Sequence, residues 1–301
     1  MVNDELIELG NANVKIAVQP KAGASLAYFK ANIGAKEVDI MRPATAKALT
    51  DSDAAGSSMY PMLPYVNRIH DGFFVYWGIK RQVPSNVSSN KEPFDGDGWK
   101  FSWNVKEKSD KKVVLTTVGD PKKGFPFSYE AEVTYTLTDS GFNTHIMLRN
   151  LGILPMPCAM GVHPFFPKTK DVNIKFKAKN VWEHLGTPLR DKPYNVTSDW
   201  RFEEGKDIAK MTLDTCFGGF DGDAEITWPS NNVRLKIKAY EEFNHSILVV
   251  SENKNIFSFE PVTSAIDAFN LASRGIMGTG IKSIGPGETI EATVEFSVEE
   301  L

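Results

Sequence analysis

Alternation with a period of two residues is the feature that most constrains this chain. Tyr129, Ala131, Val133, Tyr135 and Leu137 interleave with Glu130, Glu132, Thr134, Thr136 and Thr138. Side chains of a strand point to opposite faces in turn, so the stretch buries one face and wets the other. Asp139-Ser-Gly141 supplies turn chemistry, and Phe142, Thr144, Ile146 and Leu148 resume the alternation, which predicts a hairpin. Ile290, Ala292, Val294, Phe296 and Val298 repeat the pattern against Glu291, Thr293, Glu295 and Ser297. Further strands are expected over Phe73–Tyr76, Ile79–Val83, Phe101–Glu107, Val113–Val118, Ala224–Trp228, Val233–Ala239, Ser246–Ser251 and Phe257–Pro261.

Helical periodicity is nearly absent; only 51–59 and 265–273 suggest a short turn of helix. Strands joined by turns, without alternating helices, predict an all-β sandwich or barrel. No composition shift or linker marks a boundary, so residues 1–301 read as one large antiparallel domain. The balance of 34 basic against 38 acidic side chains gives −4, which argues against a general nucleic-acid or anionic-membrane binder. The first residues carry acids where a leader peptide needs bases, and no window is long and apolar enough to span a bilayer, so a cytoplasmic location is expected. Two cysteines, Cys158 and Cys216, are too few for a disulfide framework or zinc cluster and sit among apolar residues, as buried free thiols do. Phosphate-cradling, zinc-helix and nucleophile-elbow motifs are missing.

Five places concentrate usable chemistry. In Leu154–Pro167, with prolines at both ends, His163 directly precedes Pro164. A residue before proline is held extended, so His163 is expected at a strand end with its ring aimed one way: an acid or base near neutrality, or a core histidine bonded to backbone. In Pro64–Gly72, Arg68 offers either a fork of donors to a ligand or a structural ion pair, with Asp71 as the nearest partner. Phe94-Asp95-Gly96-Asp97-Gly98-Trp99 reads as a tight turn, a cup with an aromatic floor, or a weak calcium loop without the full calcium pattern. Asp214 caps a turn or accepts from a polar ligand. Glu260, among apolar residues before Pro261, is a charge on the inner face of a strand; burial of that kind raises a carboxyl toward base duty.

Taken in order, these places resemble the aldose 1-epimerase (galactose mutarotase) family, especially its bacterial branch. The resemblance rests on Asn67-Arg68-Ile69-His70-Asp71-Gly72, Gly96-Asp97-Gly98-Trp99, Gly161-Val162-His163-Pro164-Phe165-Phe166, Asp214 through Phe217 to Phe220-Asp221-Gly222, and Glu260-Pro261 through Thr263 to Asp267-Ala268. It implies a β-supersandwich with large antiparallel sheets and an open sugar cleft. It also implies that Glu260 takes the proton of the anomeric hydroxyl while His163 protonates the ring oxygen. Arg68, Asp95, Trp99 and Asp214 then line the sugar, an aldohexose such as glucose or galactose. Neither metal nor redox cofactor is needed, and a monomer or homodimer is expected. Asp95 departs from the pattern, standing where the family usually carries a histidine; a carboxyl with an ordinary pKa of about 4 cannot donate at neutral pH. Phe165, Phe220 and Ile266 replace a usual tyrosine, tryptophan and proline. Two alternatives follow: a non-catalytic carbohydrate-binding protein that kept the cleft, and an epimerase of a phosphorylated or acidic sugar, with Lys91 and Lys100 flanking the Asp95 loop.

Overall fold

The alternation at 129–148 folds as expected. Strands Tyr129–Leu137 and Gly141–Asn150 pair antiparallel, with Tyr129 opposite Asn150 and Leu137 opposite Phe142. Along the first of them every second residue is buried. The structure, a computed structural model, describes residues 6–87, 91–183, 192–240 and 242–301. Among these residues most strands belong to two antiparallel sheets, one of nine strands and one of eleven. The nine-stranded sheet buries a single face, as its alternation requires.

The eleven-stranded sheet differs at its centre, where both faces are covered. In Ile256–Val262 every residue after the first is buried. Phe257 and Phe259 point into the main core with Val162, Phe166, Phe217 and Leu248, against the nine-stranded sheet. Their alternating neighbours belong to the opposite face, where Tyr60, Trp99, Trp182, Cys216 and Ile247 form a second, smaller cluster. One strand thus serves two cores, and the second is where the candidate chemistry lies.

Three local expectations need correction. The helix foreseen within 51–59 lies earlier, at Ala46–Asp51, where the Thr45 hydroxyl caps it by accepting from the Ala48 N–H at 3.0 Å. A 3₁₀ turn follows at Ala54–Gly56, and Met59–Met62 is already a strand. Near the second site the helix spans Ala268–Ser273. His163 is not at a strand end: it is the third residue of Gly161–Pro167, because Pro164 keeps φ within the extended range and the strand runs through it. The strand expected over 101–107 begins only at Asn104 and is an exposed edge. No helix among the described residues is long and apolar enough to cross a membrane.

The two sheets are also tied by a buried hydrogen bond from the Tyr135 hydroxyl to the Ala24 carbonyl, at 2.7 Å. Removing one partner of such a bond strands the other. Tyr135→Phe is therefore expected to cost about 1–3 kcal/mol in urea unfolding; an unchanged midpoint would mean that the bond contributes nothing to stability.

Candidate functional site

A single row of residues crosses the outer face of the eleven-stranded sheet. Tyr60 lies opposite His163, and Glu260 opposite Ile247, which lies opposite Cys216, itself opposite Trp182. His163 and Glu260 stand on the adjacent strands Gly161–Pro167 and Ile256–Val262, which pair directly. Sheet register alone places their side chains beside each other. His163 Nε2 is 3.2 Å from Glu260 Oε1. The Ser258 hydroxyl, two residues along the same face, donates to Glu260 Oε1 at 2.7 Å.

Both groups are nearly removed from water, at 8% exposure for His163 and 2% for Glu260. Burial penalises the charged form of each. His163 is pushed down to about 3 by burial, with a further push from the Arg42 cation. Glu260 is pushed well above the usual carboxylate range by burial and by the neighbouring charges of Asp95 and Asp214, against the pull of the Ser258 hydroxyl. Burial thus works against the charged form on both sides of this contact, lowering the imidazole and raising the carboxyl.

Asp95, whose charge reaches Glu260, is wholly buried. Both of its carboxyl oxygens are engaged: the Tyr60 hydroxyl donates to Oδ2 at 2.7 Å and the Asn67 N–H to Oδ1 at 2.9 Å. The Asp95 N–H returns a bond to the Asn67 carbonyl at 2.9 Å, which locks the 94–99 loop against the 63–68 loop. Burial raises Asp95 to about 7, while the bonds from Tyr60 and Asn67 and the charge of Arg68 pull it down. The loops meet this closely because residue 96 is glycine. Its φ is +75°, and a Cβ there would stand 1.8 Å from the Leu63 carbonyl oxygen. Trp99 closes the loop by donating from Nε1 to the carbonyls of Phe94 at 3.1 Å and Gly96 at 3.0 Å, and its ring stacks on Tyr60 with centroids 5.4 Å apart.

The family profile of aldose 1-epimerase matches residues 5–297. The chain belongs to the aldose 1-epimerase family. Among curated relatives, the uncharacterised Escherichia coli K12 protein YphB is 21% identical over 97% of this chain and 98% of its own. The uncharacterised YihR of the same organism is 32% identical over 69% of this chain and 70% of its own. A galactose mutarotase-like protein from Clostridium acetobutylicum shares the fold at a TM-score of 0.85 and 19% identity, covering 98% of this chain and 95% of that one. The fold is thus the galactose mutarotase-like β-supersandwich.

Within this epimerase fold the sequence-derived residues are placed as follows. His163 and Glu260 are in contact, with Asp95 and Trp99 joined to them through Tyr60. Arg68 is half-buried, its guanidinium 5.8 Å from the Phe94 ring centre. The ion pair expected between Arg68 and Asp71 does not form; Asp71 faces His70 Nε2 at 3.7 Å, because a left-handed backbone at Asp71 turns it away. Asp214 is exposed, one row from Cys216 and opposite Val249, which faces Ser258. Cys158 and Cys216 are buried free thiols.

Sequence reasoning missed Tyr60, Ser258 and Arg42. The Arg42 guanidinium lies 4.1 Å over the Phe165 ring and donates to the carbonyls of Ala55 and Ser57. Its signal was available: like Glu260, it is a charge among apolar residues directly before a proline. Tyr60 gave none, since its partner Asp95 is 35 residues away. Among the described residues no cluster of three or more His, Cys, Asp or Glu side chains is arranged to hold a metal.

Gly96→Ala is expected to cost about 2–4 kcal/mol, through a forced φ and a clash with backbone that cannot rotate away. Chemical unfolding measures this. A loss below about 0.5 kcal/mol would show that the 94–99 loop is not held against 63–68.

Proposed function

We propose that the protein is an aldose 1-epimerase, an isomerase that interconverts the α and β anomers of a free aldose by opening and reclosing the ring. The observation that carries this reading is the 3.2 Å approach of His163 Nε2 to Glu260 Oε1 on a water-poor sheet face. Mutarotation needs one group to take a proton from O1 and another to give a proton to the ring oxygen, with no net proton exchanged. A pair sharing one proton meets that need.

Transfer of that proton from Glu260 to His163 leaves a carboxylate and an imidazolium. Glu260 then removes the anomeric O1 proton while His163 protonates the ring oxygen. The bond between C1 and the ring oxygen breaks and O1 becomes the aldehyde oxygen. Rotation about C1–C2 presents the other carbonyl face, and the reverse transfers close the ring. Strand-held groups at fixed separation suit this work, because both transfers demand correct geometry at once. Arg68 and Asp214 hold sugar hydroxyls, and the Trp99–Tyr60 aromatic wall supplies an apolar face for the ring. Asp95, with both oxygens occupied below the surface, acts through its neighbours rather than on the sugar.

A second reading, in which the aldose carries an acidic substituent, is favoured by one observation. The Nε atoms of Arg42 and Arg68 are buried and lack a hydrogen-bond partner among the described residues. Lys100 is less suited to that task, since its ammonium lies over the Trp99 ring at 4.5 Å. Inorganic phosphate separates the two readings: competition with binding supports the acidic aldose, and indifference supports the neutral one.

Glu260→Gln is expected to reduce anomer exchange about 10²–10⁴-fold and to leave sugar affinity within a few-fold, by polarimetry and titration calorimetry. Undiminished exchange would remove Glu260 as the base. In wild type the rate is expected to fall on the acid side near pH 3, where His163 gains its own proton, to inflect near pH 7, where Asp95 titrates, and to fall on the alkaline side above the usual carboxylate range, where Glu260 loses its proton. A rate that climbs through pH 4–5, as for an ordinary carboxylate, would contradict the shared-proton pair.

A further inference from the structure

Tyr60 is neither the acid nor the base assigned above, yet it touches His163, Trp99 and Asp95 at once. Its ring is stacked on the His163 imidazole, with centroids 4.8 Å apart and planes 27° apart. Its other neighbour is the Trp99 ring. Its hydroxyl spends its proton on Asp95 Oδ2 at 2.7 Å, and it is only 3% exposed. His163 Nδ1 is buried without a hydrogen-bond partner among the described residues, so no polar contact from that side fixes the imidazole. Packing must do it, and the rings against it are Tyr60 on one side and Phe165 on another, at 4.4 Å.

We propose that Tyr60 is a positioning residue that couples Asp95 to the His163–Glu260 pair, holding the imidazole with its ring and the carboxyl with its hydroxyl. The inference rests on the epimerase reading for its catalytic meaning. It explains how an aspartate serves where related motifs carry a histidine: Asp95 needs no contact with the sugar, because its protonation state reaches the acid through one rigid aromatic residue and reaches the base through charge.

Tyr60 and the Asn67 N–H bond to Asp95, Arg68 lends positive charge, and the charge of Asp95 itself raises Glu260. Tyr65 also lies within reach of Asp95: it is held above its ordinary value by burial and by the charges of Asp97 and Asp95. The Tyr60 bond favours the charged form of Asp95, so removing it makes the carboxyl keep its proton to higher pH.

The test compares Tyr60→Phe, which keeps the ring and loses the hydroxyl, with Tyr60→Leu, which loses both. Proteins labelled with ¹³C at aspartate carboxyls give the Asp95 titration by NMR, assigned with Asp95→Asn, and anomer exchange is followed across the same pH range. The expected result is an alkaline shift of the Asp95 midpoint in Tyr60→Phe, with the neutral inflection of the exchange rate moving alongside it and KM within about twofold. Tyr60→Leu is expected to lower kcat at least tenfold below Tyr60→Phe. An inflection that stays in place while the carboxyl midpoint moves overturns the coupling, as does a Tyr60→Leu rate equal to that of Tyr60→Phe. If wild type exchanges no anomers, the epimerase reading fails separately. The Asp95 midpoint then decides the link alone, and an unmoved midpoint in Tyr60→Phe overturns it. Should Tyr60→Leu fail to fold, the Tyr60→Phe comparison of midpoint and inflection carries the decision.

Discussion

The 3.2 Å contact between His163 and Glu260 is the interaction on which the rest of this structure depends. Two ionisable groups on a covered sheet face are expensive unless they satisfy each other. Here they lie 3.2 Å apart, with burial lowering the imidazole and raising the carboxyl, and the surrounding aromatic cluster covers both. The same burial that would destabilise isolated charges pushes the imidazole below its ordinary value and the carboxyl above its own. That arrangement suits a reaction that moves two protons and keeps none.

Everything else holds the contact in place. Antiparallel register sets the two side chains on one face, and Ser258 reaches the Glu260 carboxyl from two residues away on the same strand. The loops of residues 63–68 and 94–99 supply the walls, locked by the reciprocal Asn67–Asp95 bonds and by a glycine where a side chain would strike backbone. Burial lowers the imidazole, and Arg42 over Phe165 adds a fixed cation at the edge that pushes it the same way. The main core covers the opposite face of these strands, so their backbone is packed on the side away from the contact.

How much of this is legible from residues alone varies with locality. The 129–150 hairpin announces itself because one of its faces is wet, so polar and apolar residues alternate in plain view. The central strands do not: Phe257-Ser-Phe-Glu-Pro-Val is buried on both faces, and nothing in its composition says which face meets which cluster. Glu260 stands out even so, as a carboxylate where none is comfortable, and Arg42 carries the same mark before Pro43. Asp95 is visible as a departure from a family motif. Its engagement by Tyr60 is not, because a hydrogen bond between a strand and a loop 35 residues away leaves no periodic trace. The prolines around His163 misled in one respect. They keep the backbone extended, but the strand continues through them.

The measurement that tests the central claim most directly is magnetisation exchange between the α and β anomeric protons of glucose and galactose, in deuterated buffer with wild-type protein. The account predicts accelerated exchange with no deuterium entering any carbon position, since every proton it moves travels between oxygens and the His163–Glu260 pair. Sugar that binds without faster exchange, or exchange accompanied by deuterium at C2, would contradict it.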